Sequence, residues 1–153
     1  MAGPAALVHV SEAAVKATPP RWVLTTPESA VQSYLDWTSY AYRVGQSVTA
    51  SATTGPGEQV RIDSYVQYNI EQKRLIDQKL DSIVFGKQSS GTTSTLVPAK
   101  EKWTYSYLST SQGNKVVGGP YTATYDTVYT VIKNKNGDWV VASVKATPKG
   151  TVK

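Results

Sequence analysis

The sequence contains no cysteine and only one histidine, His9. Without cysteine the chain has no disulfide, no thiolate nucleophile and no cysteine-ligated zinc. One histidine outside the predicted domain leaves no Ser-His-Asp set and no pair of imidazoles for a transition metal. No glycine-rich phosphate loop is present either. We therefore predict no metal site, no cofactor and no assigned catalytic residue.

Long apolar runs and runs of one charge are also missing. The longest apolar stretch near the start, 5–8, is too short for a signal peptide or a membrane span. The 16 Lys and Arg exceed the 11 Asp and Glu and give a formal charge of +5. These positive residues are scattered, so we expect weak attraction to anionic surfaces and no nucleic-acid partner.

Aromatic residues are present in an unusual ratio, with ten Tyr and four Trp against one Phe. Tyr and Trp carry a polar group on an apolar body, which suits half-buried sheet faces, cavities with a wet end and interfaces. The length of 153 residues and the 40% hydrophobic content fit one domain with its own core.

Two helices are predicted in the first half of the chain. Thr26 is a typical N-cap, Pro27 suits the first helical position and Gly45 suits the residue after the end, so the first helix should span 27–44. Apolar residues at helical spacing predict a second helix over 58–72. The predicted buried faces carry Val31, Tyr34, Leu35, Thr38, Ala41 and Tyr42 in the first helix, and Ile62, Tyr65, Val66 and Asn69 in the second.

Beyond Lys73 the hydrophobic period changes from 3.6 to 2, which predicts strands. Pro98 cannot donate to a ladder, so its part of the sheet should be an edge, a bulge or a bend. The run Asn134 to Gly137 is typical of a hairpin turn. The predicted strands span 78–85, 93–109, 121–131 and 139–146, and breaks are expected at 112–114 and 118–120.

These elements predict an α+β domain in which N-terminal helices pack on a curved antiparallel sheet. The domain is expected over 26–147, after a linker over 1–25 and before a tail over 148–153. We interpret the linker as the remainder of a connection to a removed membrane anchor. The lack of cysteine and the Thr-, Ser- and Tyr-rich composition favour an exported bacterial domain at the cell surface or in a periplasm-like space.

Three strand motifs follow the two helices: Glu101-x-Trp103-x-Tyr105, Tyr125-x-x-x-Tyr129-x-Val131 and Gly137-Asp138-Trp139-Val140-Val141. Together with the helices they resemble the nuclear-transport-factor-2-like superfamily over about residues 26 to 146. The resemblance is to its extracytoplasmic type, found at the ends of bacterial membrane-anchored proteins and in the intermembrane-space domain of chloroplast-division proteins. It implies a cystatin-like cone whose concave side faces the helices and leaves a pocket or a partner groove. It also implies that dimers form through the sheet.

The same superfamily contains ketosteroid-isomerase and cyclase-like enzymes, so the resemblance also implies an enzymatic alternative with a carboxylate base and tyrosine donors. Among the candidates only Glu101 shares a strand face with Trp103 and Tyr105. A structural alternative pairs Glu101 with a Lys or Arg of a neighbouring strand. The full set of candidates is Asp36, Asp63, Glu101 and Asp126 as bases, with Tyr34, Tyr105 and Tyr125 as donors.

The aromatic residues of these strands and of the first helix form the predicted pocket, which is either core or the lining of a ligand or partner site. We predict a non-catalytic, extracytoplasmic binding or assembly domain. Its partner is a protein, a second copy in a homodimer, or a small apolar ligand. The alternatives are the isomerase-like enzyme and a subunit of a secretion or conjugation machine. The predicted pocket consists of Tyr34, Trp37, Glu101, Trp103, Tyr105, Tyr125, Tyr129 and Trp139.

Overall fold

The helices lie on one side of an antiparallel sheet, as predicted. A computed structural model describes residues 18–150 of the chain. Helix α1 spans Pro27–Val44, a 3-10 helix spans Ser47–Thr53 and α2 spans Pro56–Glu71. No helix within residues 18–150 is long and apolar enough to cross a membrane. The strands are β1 (Arg74–Phe85), β2 (Ser89–Ser90), β3 (Thr95–Ser109), β4 (Lys115–Lys133) and β5 (Trp139–Lys149).

Helix α1 has the predicted bounds because both of its ends are capped. Thr26 Oγ1 accepts a hydrogen bond from the Ser29 amide at 3.1 Å, and Ser29 Oγ accepts one from the Thr26 amide at 3.1 Å. At the other end Gly45 adopts a left-handed φ of 72° and its amide donates to the Ala41 carbonyl at 2.8 Å. The chain therefore enters and leaves α1 at fixed positions.

Helix α2 begins two residues before the predicted start, because Pro56 suits the first helical turn. Ile62, Val66 and Asn69 are buried as predicted, but Tyr65 is 37% exposed. Tyr65 lies at the edge of the buried stripe and packs edge-on against Tyr42, at 5.2 Å between ring centroids. The prediction that Tyr65 is buried was therefore wrong.

The sheet has the order β1-β3-β4-β5, with β2 pairing to β3. Pro98 lies in central β3, yet it occupies a local edge. On one side it faces Val128 of β4. On the other side it lies between the last β1 pair, Phe85–Ala99, and the first β2 pair, Ser89–Leu96. The Gly86 amide, just after β1, donates to the Pro98 carbonyl at 2.9 Å, so the missing amide of Pro98 faces Gly86 and removes no bond to β4. The predicted edge is thus confirmed locally.

The pattern of strand 78–85 departs from the predicted alternation at a bulge between Leu80 and Ser82. A bulge shifts the following residues to the opposite face, and consequently Leu80 and Ile83 both pack on the core. The strand also begins four residues earlier, at Arg74. Period-two reasoning cannot detect a bulge of this kind.

The predicted break at 118–120 lies inside β4, which begins at Lys115. Gly119 makes this continuity feasible because its φ is 93°, and a Cβ there would lie 2.8 Å from the Tyr105 carbonyl oxygen. The β3–β4 register is irregular at this position. At the far end β5 continues to Lys149, three residues beyond the predicted strand.

The core fills the space between α1 and the inner face of β3, β4 and β5. The predicted hairpin is present, because the Gly137 amide donates to the Asn134 carbonyl at 3.0 Å. Ahead of α1, Leu24 is buried and its carbonyl accepts from the Trp139 amide at 2.9 Å. The buried core comprises Leu24, Ala30, Val31, Tyr34, Leu35, Val97, Ala99, Trp103, Tyr129, Val131 and Val141.

Candidate functional site

Glu101 of β3 is a buried carboxylate surrounded by hydrogen-bond donors. It is 4% exposed. Tyr129 and Thr127 of β4 donate to Oε2, the latter at 2.7 Å, and Trp103 Nε1 donates to Oε1 at 2.8 Å. Because these partners are neutral side chains, the expected pairing of Glu101 with a Lys or Arg of a neighbouring strand was wrong.

Glu58 of α2 is a second buried carboxylate, 3% exposed, and it was not among the predicted site residues. Tyr34 of α1 donates to its Oε2, and Arg61 donates to Oε1 through Nε at 3.0 Å and to Oε2 through Nη2 at 2.6 Å. A signal was available in the sequence, because Glu58 lies one helical turn before buried Ile62 and three residues before Arg61.

The two carboxylates are linked through their tyrosines. The rings of Tyr34 and Tyr129 meet edge to face, with centroids 6.0 Å apart. Burial raises the pKa of Tyr34 well above its usual range, and the charge of Glu58 raises it further. Burial and then the charge of Glu101 do the same to the pKa of Tyr129. Both phenols therefore remain protonated donors at neutral pH.

The oxygens of both buried carboxylates accept hydrogen bonds from donors within the fold. A general base needs a carboxylate that faces a substrate, whereas the oxygens of Glu101 and Glu58 accept hydrogen bonds within the core. Four open clefts on residues 18–150 have volumes of about 290, 390, 300 and 340 Å³, and neither glutamate lines any of these four. The network ties α1, α2 and the sheet together.

The other carboxylate candidates are not brought together with the proposed tyrosine donors. Asp36 is exposed on α1, and Asp63 on α2 accepts from Gln59 Nε2 at 2.9 Å. Asp126 forms an ion pair with Lys149 at 3.4 Å. His9 lies outside the described residues, and within 18–150 no three acidic or imidazole side chains form a cluster suited to a metal ion.

The predicted pocket residues fall into four places. Tyr34, Glu101, Trp103 and Tyr129 belong to the core. Trp37 lies in a separate cluster with Ala41, Ala50 and Tyr40, and its ring also packs edge-on against Trp22 at 5.3 Å. Trp139 is half-buried at the end of the sheet, with Lys133 Nζ 5.4 Å from its ring centroid. Tyr105 and Tyr125 are half-buried on the concave side of β3 and β4.

The concave side of the sheet continues beyond the core as a surface that we call the tyrosine surface, formed by Tyr105, Tyr107, Tyr121 and Arg74. The three rings contact one another at centroid distances of 5.8, 5.4 and 6.2 Å. The Arg74 guanidinium lies 4.2 Å from the Tyr107 ring centroid, and its Nε donates to Asn69 Oδ1 at 2.7 Å. A cleft of about 390 Å³ opens beside Tyr107, Tyr121 and Arg74.

This chain is similar to known proteins in structure. No family model and no curated protein matches the sequence. The intermembrane space region of the chloroplast protein ARC6 superposes with a TM-score of 0.69 at 15% identity, covering 85% of this chain and 100% of that one. A ketosteroid isomerase-like protein from Erwinia carotovora atroseptica superposes with a TM-score of 0.53 at 15% identity, covering 84% and 97% of the two chains.

These likenesses concern the fold. The chain has the nuclear-transport-factor-2-like fold that the sequence motifs predicted. At this level of identity the fold hosts proteins of different function, so function has to be argued from the residues of this chain.

Proposed function

We propose that this domain is a non-catalytic binding and assembly module whose tyrosine surface binds a protein partner. The observation that carries the proposal is the contrast between the two ends of the concave face. At the inner end the polar groups of Glu101, Tyr129 and Trp103 are paired in the core. At the outer end the tyrosines are half exposed beside an open cleft.

The composition of the tyrosine surface fits a protein interface. Tyr and Arg are both enriched at the centre of such interfaces. Tyr offers a large contact area with few rotatable bonds, and Arg offers a planar guanidinium whose donors are fixed relative to one another. The rings of Tyr105, Tyr107 and Tyr121 support one another through edge contacts, and Arg74 is held by Asn69. A partner would therefore meet a largely preorganised surface.

We place the domain outside the cytoplasm, within a membrane-anchored bacterial protein. The lack of cysteine fits an oxidising compartment. The ARC6 region, whose fold is similar, is named for an intermembrane space. A domain held near a membrane meets its partner at high local concentration, so an interface of modest affinity is sufficient.

Site-directed photo-crosslinking in the native host tests the proposal. A photoreactive phenylalanine analogue at position 105 or 121 should give a discrete protein adduct. The same residue at Thr122, which neighbours Tyr121 but is exposed on the opposite face, should give none. Tyr107→Ser should abolish the adduct from position 121. Equal labelling from 121 and 122, or an adduct that persists with Tyr107→Ser, would contradict a partner at this surface.

Two measurements on the purified chain separate the forms that the partner can take. Sedimentation velocity shows whether the partner is a second copy, because Tyr107→Ser would then convert a dimer to a monomer. Native mass spectrometry shows whether a small apolar ligand is retained. A monomer that carries no ligand but forms the adduct in cells supports a different protein as the partner.

A further inference from the structure

A second cleft, of about 290 Å³, lies between α1 and β1, apart from the tyrosine surface. Its walls combine three kinds of group. Arg43 contributes a cation, Asp36 and Asp77 contribute carboxylates, and Leu35, Leu80 and Trp103 contribute apolar surface. The volume is at the lower end of the range for small-molecule sites.

Arg43 is an unusual cation because it is buried and, among residues 18–150, has only the distant carboxylate of Asp77 as a counter-ion. Its side chain is 10% exposed, and Nη2 is buried with no hydrogen-bond partner. The nearest carboxylate is Asp77, whose Oδ1 lies 3.9 Å from Arg43 Nε and whose side chain is more than half exposed. Burial lowers the pKa of Arg43. An incompletely paired guanidinium at this depth carries a desolvation cost that an additional anion would offset.

The carboxylates limit which anion can enter. Asp36 precedes Arg43 by seven residues on α1, so the two Cα atoms are about 10 Å apart along the helix axis. A ligand with negative charge alone would meet repulsion from Asp36 and Asp77, and a ligand with positive charge alone would meet Arg43. A molecule that carries one negative and one positive group can pair with Arg43 and with Asp36.

We propose that this cleft binds a free α-amino acid with an apolar side chain. The ligand carboxylate pairs with Arg43 and the ligand ammonium with Asp36. The side chain lies on Leu35, Leu80 and Trp103. A hydrogen bond from the guanidinium to the ligand carboxylate is charge-assisted, and it fixes which end of the ligand lies at Arg43. Ser39 and Gln78 are already joined by a hydrogen bond of 2.9 Å and hold the wall between the two charged ends.

Titration of the ¹⁵N-labelled chain with L-phenylalanine, followed by amide chemical shifts, tests this site. We expect saturable binding, with shifts confined to α1, β1 and the part of β3 around Trp103. N-acetyl-L-phenylalanine lacks the ammonium and L-phenylalanine amide lacks the carboxylate, and each should bind at least tenfold more weakly. Glycine lacks the apolar group and should also bind at least tenfold more weakly. Equal affinity for the free and N-acetylated amino acid would overturn the proposal, as would a lack of saturation.

Variants locate the ligand. Arg43→Met and Asp36→Asn should each weaken L-phenylalanine binding tenfold or more. Asp63→Asn, an exposed change on α2, and Lys87→Met, in the loop after β1, serve as matched controls and should leave binding unchanged. Thermal unfolding confirms that each variant is folded, and Asp36→Asn alone decides the question if Arg43→Met does not fold. Unchanged binding in a folded Asp36→Asn variant would refute the assignment. Tyr107→Ser should leave this binding intact, so the cleft and the tyrosine surface are tested independently.

Discussion

Replacement of Glu101 by glutamine tests the buried network most directly. The carboxylate accepts hydrogen bonds from Trp103, Thr127 and Tyr129 and donates none. A glutamine amide has one accepting oxygen and one donating nitrogen, so whichever way it lies, its NH₂ group faces a donor. Thr127 can adapt because its hydroxyl also lies 3.1 Å from the Ala99 carbonyl. Trp103 and Tyr129 have no such second acceptor in the network.

The cost follows from the groups left unpaired. A hydrogen bond to a charged acceptor contributes about 1.5–3 kcal/mol, and an orphaned buried donor costs about 1–3 kcal/mol. Relief of the buried charge offsets part of this. We expect Glu101→Gln to lower the free energy of unfolding by about 2–3 kcal/mol, measured by urea denaturation at neutral pH. Glu71→Gln, at an exposed position of α2, should change it by less than about 0.5 kcal/mol.

A double-mutant cycle with Tyr129→Phe separates this network from simple packing. In the parent chain Tyr129→Phe removes a hydrogen bond to Glu101, whereas in Glu101→Gln it removes a hydroxyl that is no longer well paired. The coupling energy should therefore be about 1.5–3 kcal/mol. An identical cost of Tyr129→Phe in both backgrounds, or a Glu101→Gln chain as stable as the parent, would refute the reasoning.

Three further predictions concern other parts of the molecule. Burial raises the pKa of Tyr42 to about 12, and those of Tyr34 and Tyr129 are also raised. The folded state then holds more protons than the unfolded state above pH 10, so stability should fall as pH rises, by about 1.4 kcal/mol per pH unit for each phenol. When the free energy of unfolding is measured by urea denaturation between pH 10 and 12, Tyr42→Phe should make its decrease with pH shallower by that amount. An unchanged dependence on pH would contradict the prediction. Gly119→Ala should lower the free energy of unfolding by about 2–3 kcal/mol, because the new Cβ meets the Tyr105 carbonyl and φ is positive there. Gly57→Ala has open space around it, so in thermal unfolding this control should be as stable as the parent or more stable. Trp103→Phe should destabilise the chain by about 1.5–3 kcal/mol more than Trp37→Phe, since Trp103 Nε1 donates to Glu101 and the buried Trp37 Nε1 has no hydrogen-bond partner. Equal losses of stability in the two variants would show that the hydrogen bond to Glu101 is not the cause.

The local signals of the sequence predicted α1 completely. Thr26 and Gly45 act within one helical turn, so no tertiary information is needed to place the ends. The alternation of β4 was equally informative over Tyr121 to Val131, because every second residue there faces the core side. Signals of this kind depend on neighbours in the chain.

Features that depend on distant contacts were missed. The bulge at Leu80 arises from the pairing of β1 with β3 and has no counterpart in a period-two pattern. Glu58 was assigned to no buried face because a carboxylate on a helix is usually exposed. Only the approach of Tyr34, 24 residues away, gives it a buried partner. The cleft at Arg43 likewise requires β1 to lie beside α1, 34 residues from Asp77.

The open tyrosine surface follows from the unequal lengths of the helices and the strands. α2 ends at Glu71, and the chain turns into β1 at Arg74. The Thr110 amide then donates to the Lys73 carbonyl at 3.0 Å and fixes that turn at the end of β3. The helical layer stops there, while the paired ends of β3 and β4 carry Tyr105, Tyr107 and Tyr121 on the concave side. Valine or leucine would expose a large apolar patch at this position, whereas tyrosine keeps its hydroxyl in water and its ring available. The residue choice therefore suits a surface that is uncovered in the free domain and buried when a partner binds.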